Sequence, residues 1–462
     1  MADLAHERGA DQPLRAAMLG GSRMWRGLPV HILPLVILLY TCLIFAPEAE
    51  TVFSGVKLTA YRLIILVLIL PAIVSFMRSG RRVLMPDIAI ALGCAWMVLS
   101  FVILYSPAEG IVRSAGIVID ALGAYIIARA SIRSLADLRR VLIVMAPGFF
   151  IAGAILAVES ISHRIIYRTL FARIFGAGSV YVDGNVAGTL VYRENTRLGL
   201  LRGYSTFSHP ILAGVTLASV LPLYWMSGIR SWPLWMGIAA GLLSFFSVSS
   251  ISLLMLGLAI VMLLIDWARP VIPKLNWPFL TLAGGMVLVA LHLSSEGGVL
   301  NLIARFTLNP HNGYVRIIQW ESAFATLRDD PWFGIGYLRV PDLPSWLPPS
   351  IDAHFLVLAL RTGWPTMIAF YFAMIWMMIA LGLQSVRLPG AQRNLTVGLN
   401  MAVFLLLVAS FTVTYFGETN VYFMAILGVG AALSQPVQVR APNPAMRSVP
   451  MRAPLQARAL DG

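Results

Sequence analysis

Residues 58–82 read LTAYRLIILVLILPAIVSFMRSGRR, and this stretch decides the fold class. No charged residue falls between Arg62 and Arg78. As a helix rising ~1.5 Å per residue, the segment 58–77 matches the ~30 Å hydrocarbon core of a bilayer. Arg78, Arg81 and Arg82 close the run, and arginines gathered in a short loop mark the cytoplasmic side of a membrane. The two signals, an apolar run and then a basic loop, recur along the chain.

Twelve apolar segments follow this pattern, at roughly 29–46, 58–77, 86–104, 110–130, 139–159, 208–227, 231–248, 250–267, 276–293, 353–384, 394–414 and 419–435. The composition agrees. Of 462 residues, 58% are apolar and 12% charged, whereas about a quarter of a soluble protein is charged. A soluble enzyme is excluded. The first run is long and lacks a small-residue cleavage site, so it is expected to be a span and not a cleaved leader. Basic residues alternate with the loops: Arg8, Arg15, Arg23 and Arg26 before the first span, then Arg78–Arg82, Arg129–Arg140, Arg230, Arg269 with Lys274, and Arg387 with Arg393. The opposite short loops carry Glu48, Glu50, Glu109 and Glu418 against Lys57.

The expected fold is therefore an all-α integral membrane protein of about 12 transmembrane helices with both termini cytoplasmic. Residues 1–28 form a cytoplasmic N-terminal segment, 29–435 the polytopic membrane domain, and 436–462 a basic tail. That tail holds five prolines and four arginines with no acid before Asp461, a composition that cannot build a core and predicts disorder. Cys42 and Cys94 both lie inside apolar runs and carry no expected redox or metal role.

Two outer segments, about 160–207 and 294–352, are too long to be mere connectors, and long loops are usually functional. The first carries Arg164, Arg168, Arg173, Arg193, Arg197 and Arg202 against Asp183 and Glu194. Such an excess asks for an anion, either a lipid headgroup or a phosphate-bearing substrate. Within it, 162–175 is expected to form an amphipathic helix, with Ile165, Ile166, Leu170 and Ile174 toward lipid and Arg164, Arg168 and Arg173 toward headgroups. Next comes RENTRLGLLRGYSTFSH, Arg193–His209, leading into Pro210. Pro210 suits a first helical position after His209 or Ser208, which sets Arg202 just above a helix N-terminus, a natural place for an anion.

In the second loop, Arg316, Gln319, Trp320, Ala323 and Leu327 share one face of a helix expected over 312–328, and Arg305 lies shortly before it. A salt bridge from Arg316 to Glu321 is the structural alternative to a binding role. Residues 331–337, PWFGIGY, place two glycines in a turn. In Ser350–His354, Asp352 is the expected N-cap of the next helix and His354 lies in its first turn. The helix dipole there favours a neutral ring able to accept a proton. Arg361 stands seven residues on, on the same face. A continuous helix over 353–384 exceeds the membrane, so it starts above the bilayer or bends at Gly363–Pro365. Arg62, Arg113 and Asp120 are charges inside spans, which pair with each other or face a cavity.

Together these pieces resemble the O-antigen ligase and O-antigen polymerase superfamily of bacterial envelope glycosyltransferases. The matching elements are RGYSTFSHP at 202–210, Arg316-x-x-x-Trp320, PWFGIG at 331–336, and Asp352-Ala-His354 followed by Gly363. The resemblance implies an inverting transferase that acts on undecaprenyl-pyrophosphate-linked glycan at the periplasmic face of the bacterial inner membrane, with no metal and no cofactor. It implies His354 as the catalytic histidine, expected as the general base that activates the acceptor hydroxyl, and Arg202 and Arg316 as ligands of the donor pyrophosphate. Arg197, His209, Arg305, Trp320 and Arg361 are secondary candidates. The implied partners are a lipid-linked glycan donor, a glycan or lipid acceptor, membrane lipids and a chain-length regulator, and not nucleic acid. His354-Phe355 stands where ligases of the family carry His-Asn, and Arg361-Thr362 where an acid is usual. With RGYSTFSHP, these differences favour a polysaccharide polymerase over a ligase acting on lipid A core. A transporter or flippase is the alternative of another class. The two halves show no repeat, and the Ser227–Ser231 loop is too short for the long central loop of a major-facilitator protein.

Overall fold

The computed structural model describes residues 29–53, 56–175, 181–182, 185–186, 195–269, 286, 310–347 and 350–435. Among the described residues the fold is all-α apart from three small antiparallel hairpins. In order, the first elements are α1 (Leu33–Ile44), the β1–β2 hairpin (Glu50–Phe53 and Val56–Thr59), α2 (Ala60–Arg78), α3 (Met85–Leu104), α4 (Pro107–Val118) and α5 (Ala124–Ser131). α6 (Leu135–Ser162), the short α7 (Tyr167–Ile174), and two-residue strand pairs at 181–186 (β3, β4) and 196–201 (β5, β6) follow. Then come α8 (Pro210–Trp225), α9 (Trp232–Leu243), α10 (Ser250–Ala268) and α11 (Pro310–Asp329). α12 (His354–Thr362), α13 (Trp364–Arg387), α14 (Gly390–Ser410) and α15 (Gly417–Leu433) complete the chain.

Seven helices among the described residues are long and apolar enough to cross a membrane: α2, α3, α4 continued through α5, α6, α10, α13 and α14. Apolar helices of 10–17 residues stand at four more of the expected positions. The ninth expected span, 276–293, lies outside the described residues, as do the N-terminal segment and the basic tail.

The helices sort by what they touch. α8 and α15 are buried on nearly every face, from Leu212 to Tyr224 and from Val421 to Leu433. α2 and α13 instead leave Val67, Leu70, Met77, Ile368, Ile379 and Val386 more than half exposed. In water such a surface would aggregate; against lipid tails it is the expected outer face. Trp225, Trp235 and Trp267 are exposed near one set of helix ends, and Trp332 and Trp346 near the other, the placement of indoles at membrane–water boundaries.

Several local expectations change. The segment 353–384 is two helices, not one. They part at Gly363, whose φ of +80° suits glycine and whose missing side chain admits the Trp332 carbonyl. The 331–337 turn clasps that break, with Trp364 N–H donating to Pro331 O at 2.9 Å and Ile335 N–H to Leu360 O at 2.6 Å. Asp352 is not the N-cap; Ala353 holds that place without a side-chain bond. The span expected over 110–130 contains a π-helical turn at Ile119–Gly123. The amphipathic helix forms over Tyr167–Ile174 only, with Leu170 and Ile174, and Ile166 just before it, exposed. Ile165 is buried, and Arg168 turns inward to Glu48 at 2.6 Å and not out to headgroups.

Candidate functional site

One end of the bundle gathers the described parts of the two long loops. It is where α6 ends, α8 and α15 begin, and α12 breaks from α13. Two buried acids organise it. Glu159, near the end of α6, accepts four backbone N–H groups: Ile166 and Tyr167 at 3.0 and 2.9 Å on one oxygen, Tyr204 and Ser205 at 2.9 and 2.7 Å on the other. Glu418, in the first turn of α15, accepts Ser208 N–H at 2.6 Å and Ser208 Oγ–H at 3.0 Å. A buried carboxylate is tolerated when its lone pairs are filled in this way. Both ends of the 202–208 segment are thereby fastened to helices. A side chain on Gly203 would lie 2.5 Å from Leu156 O, so only glycine lets the segment sit this close to α6.

Arg202 is held at the head of this segment. It is 6% exposed, its N–H donates to Asn195 O at 3.0 Å, and its Nη1 reaches Asn195 Oδ1 at 3.4 Å. Across from it, α11 presents Arg316. Burial pushes the Arg316 guanidinium below its ordinary pKa; Asp352 pulls it back up and Arg202 lowers it further. The last effect means that the two arginines lie within each other's field. Arg316 makes no hydrogen bond or ion pair among the described residues, so the Glu321 salt bridge does not form. Gln319, one turn on from Arg316, donates to Ser350 O at 2.8 Å and accepts from Asp352 N–H at 3.3 Å. These bonds tie α11 to the segment that leads into His354.

His354 opens α12 and is 5% exposed. Its N–H donates to Val413 O at 3.1 Å, and its Nδ1 accepts Tyr415 N–H at 3.3 Å. Burial pushes the ring's pKa down to about 3, and Arg361 adds to the shift. The ring is therefore neutral throughout the physiological range. Arg361 lies 5.0 Å over the Tyr337 ring; burial holds its pKa below the ordinary value and Tyr337 offsets part of that.

The secondary candidates divide. His209 is the N-cap of α8, accepting Ile211 N–H at 3.2 Å through Nδ1. Trp320 packs edge-on against Phe355, with ring centres 4.8 Å apart. Arg197 sits in β5, and Arg305 lies outside the described residues. The charges inside the spans pair: Arg62 Nε and Nη2 meet both oxygens of Asp120 at 2.9 and 2.6 Å, and Arg113 meets Glu109 at 2.6 Å. Glu159, Tyr337 and the α14–α15 link around His354 did not emerge from sequence patterning. Glu159 did leave a signal, because an acid inside the apolar run ILAVESIS needs a reason to be there.

Comparison with known protein families and with curated proteins finds no match to this chain.

Proposed function

We propose that this protein is a membrane glycosyltransferase that polymerises undecaprenyl-pyrophosphate-linked oligosaccharide repeats into surface polysaccharide. The observation that carries the reading is the pair of buried Arg202 and half-buried Arg316, whose charges act on each other, with no carboxylate bound to Arg316 among the described residues. An anion placed between the two would be attracted by both guanidinium groups. A pyrophosphate supplies two adjacent charges and the planar oxygen pairs that guanidinium forks match. The order of RGYSTFSHP, Arg316-x-x-x-Trp320 and Asp352-Ala-His354 supports the choice of a lipid-linked glycan over a free phosphate.

In this mechanism the acceptor hydroxyl attacks the anomeric carbon from the face opposite the pyrophosphate. The glycosyl–oxygen bond breaks with inversion, and Arg202 and Arg316 stabilise the charge that builds on the leaving group. The reading places twelve spans in the bacterial inner membrane, both termini in the cytoplasm and the site at the periplasmic face. Ala268 and His354 lie at opposite ends of the bundle, which supports 276–293 as the return crossing.

Single-turnover transfer from a purified lipid-linked donor tests the chemistry. Arg202→Ala and Arg316→Ala should each abolish product without loss of membrane insertion, and Arg→Lys should rescue only in part. Full activity in either alanine variant refutes the pyrophosphate role. Reporter fusions after Gly80 and Ala136 should read cytoplasmic and those after Gly184 and Pro344 periplasmic; a cytoplasmic signal at Gly184 would sink the topology.

A further inference from the structure

The link between α14 and α15 fixes the proton on His354. Thr414 Oγ1 accepts Ala353 N–H at 3.2 Å and donates to Ile351 O at 2.7 Å, so the chain on either side of the ring is pinned. Against that frame, Tyr415 N–H points at Nδ1 at 3.3 Å. A backbone N–H facing Nδ1 requires a lone pair there. Turning the ring over would set a C–H against the same amide and leave a buried donor unsatisfied, which costs about 1–3 kcal/mol. The neutral ring therefore carries its single proton on Nε2, which makes that atom a donor. Nε2 has no hydrogen-bond partner among the described residues.

We infer that His354 serves the transfer as a neutral Nε2–H donor to the pyrophosphate oxygen on which charge builds, and not as the general base. This rests on the glycosyl-transfer reading above. The electron pair of the breaking glycosyl–oxygen bond passes to the pyrophosphate, which Nε2–H, Arg202 and Arg316 stabilise. The acceptor oxygen forms the new bond to the anomeric carbon on the face opposite the pyrophosphate, and its proton passes to water on that open side.

The surroundings of the ring favour the uncharged donor. On its own helix the charged group is Arg361, which opposes protonation. From the link, the Tyr415 hydroxyl turns away and donates to Leu406 O at 2.6 Å. From α15, Phe423 meets the ring edge-on at 5.6 Å. The nearby acid Asp352 acts on Arg316.

Two measurements on the full chain in lipid nanodiscs test this. Nitrogen-15 spectra of histidine-labelled protein, with the His354 signals identified by their loss in His354→Gln, should show protonated Nε2 and bare Nδ1. They should not titrate between roughly pH 5 and 8, where ordinary histidines do. A proton on Nδ1, or titration in that range, overturns the inference without touching the proposed function. The second measurement is binding of undecaprenyl pyrophosphate. His354→Ala should weaken it by about tenfold or more, the loss of one hydrogen bond to a charged group. His354→Gln should keep most of it, because its amide N–H falls near the place of Nε2–H. Equal losses in both variants overturn the donor role alone. If the wild-type protein does not bind the probe, the pyrophosphate reading fails together with the donor role.

Discussion

Arginine is buried at both ends of the bundle, but with different company. At the end where α3 starts and α5 stops, Arg129 is 2% exposed and lies 3.0 Å from Asp87, whose same oxygen also accepts the Tyr125 hydroxyl at 2.6 Å. Nearby, Arg393 meets Asp266 at 2.8 Å. At the other end, Arg168 is likewise closed by Glu48, but Arg316 and Arg361 have no ion pair among the described residues, while Glu159 and Glu418 are committed to backbone N–H groups that hold the 202–208 segment. An arginine whose carboxylate partner is built in closes a structure. One without such a partner among the described residues is the natural candidate for the proposed donor site.

Substitution of a paired and of an unpaired arginine should therefore give opposite results. The largest effect is expected at the paired end. Arg129→Ala leaves Asp87 buried without its cation, and breaking such a pair typically costs ~3–5 kcal/mol. Thermal unfolding in detergent should show a large drop in melting temperature; an unchanged one would break the contrast. Arg316→Ala should do the reverse, lowering single-turnover transfer by about 10²–10³-fold, the usual loss of one preorganised donor, with the melting temperature unchanged. A melting temperature that falls as far as that of Arg129→Ala would make Arg316 structural.

A smaller effect follows from the buried neutral ring of His354. Its pKa near 3 in the folded protein lies below the ~6.5 of an unfolded histidine. Below pH 6.5 the unfolded chain thus takes up a proton that the folded chain refuses. The contribution of this histidine to stability is present above pH 6.5 and is lost as pH falls toward 3, at up to ~1.4 kcal/mol per pH unit. Melting curves of wild type and His354→Gln should diverge on acidification in that window, with the variant less sensitive; parallel curves would contradict it. The smallest effect is expected for Arg113, whose pair with Glu109 is open to solvent at 39% and 48% exposure. Arg113→Ala should leave both melting temperature and transfer unchanged, because exposed pairs contribute little. A clear loss of transfer would extend the site toward Arg113.

The residues divide by what kind of information they carry. Apolar runs determined where helices form, because a chain in lipid must satisfy its backbone within each segment; α2 over Ala60–Arg78 falls almost where its sequence placed it. Pro210 after His209 likewise settled the start of α8 locally. Arg202, Arg316 and His354 stood out as charged or titratable residues in or beside long loops that composition alone left unexplained.

Tertiary structure decided what those residues face. Arg168 and Arg316 look alike in sequence, each an arginine on a helix of a long loop, yet Arg168 is closed by Glu48, 120 positions away, and Arg316 lies in the field of Asp352 and Arg202. Asp352 precedes a helix in good capping position, but Gln319 and Thr414 take up the N–H groups around it. The proton on His354 follows from the amide of Tyr415, 61 residues on. Helix formation depends on neighbours within a few residues, which the sequence displays in order. Charge pairing and tautomer depend on which distant groups meet in space, and only the folded chain settles that.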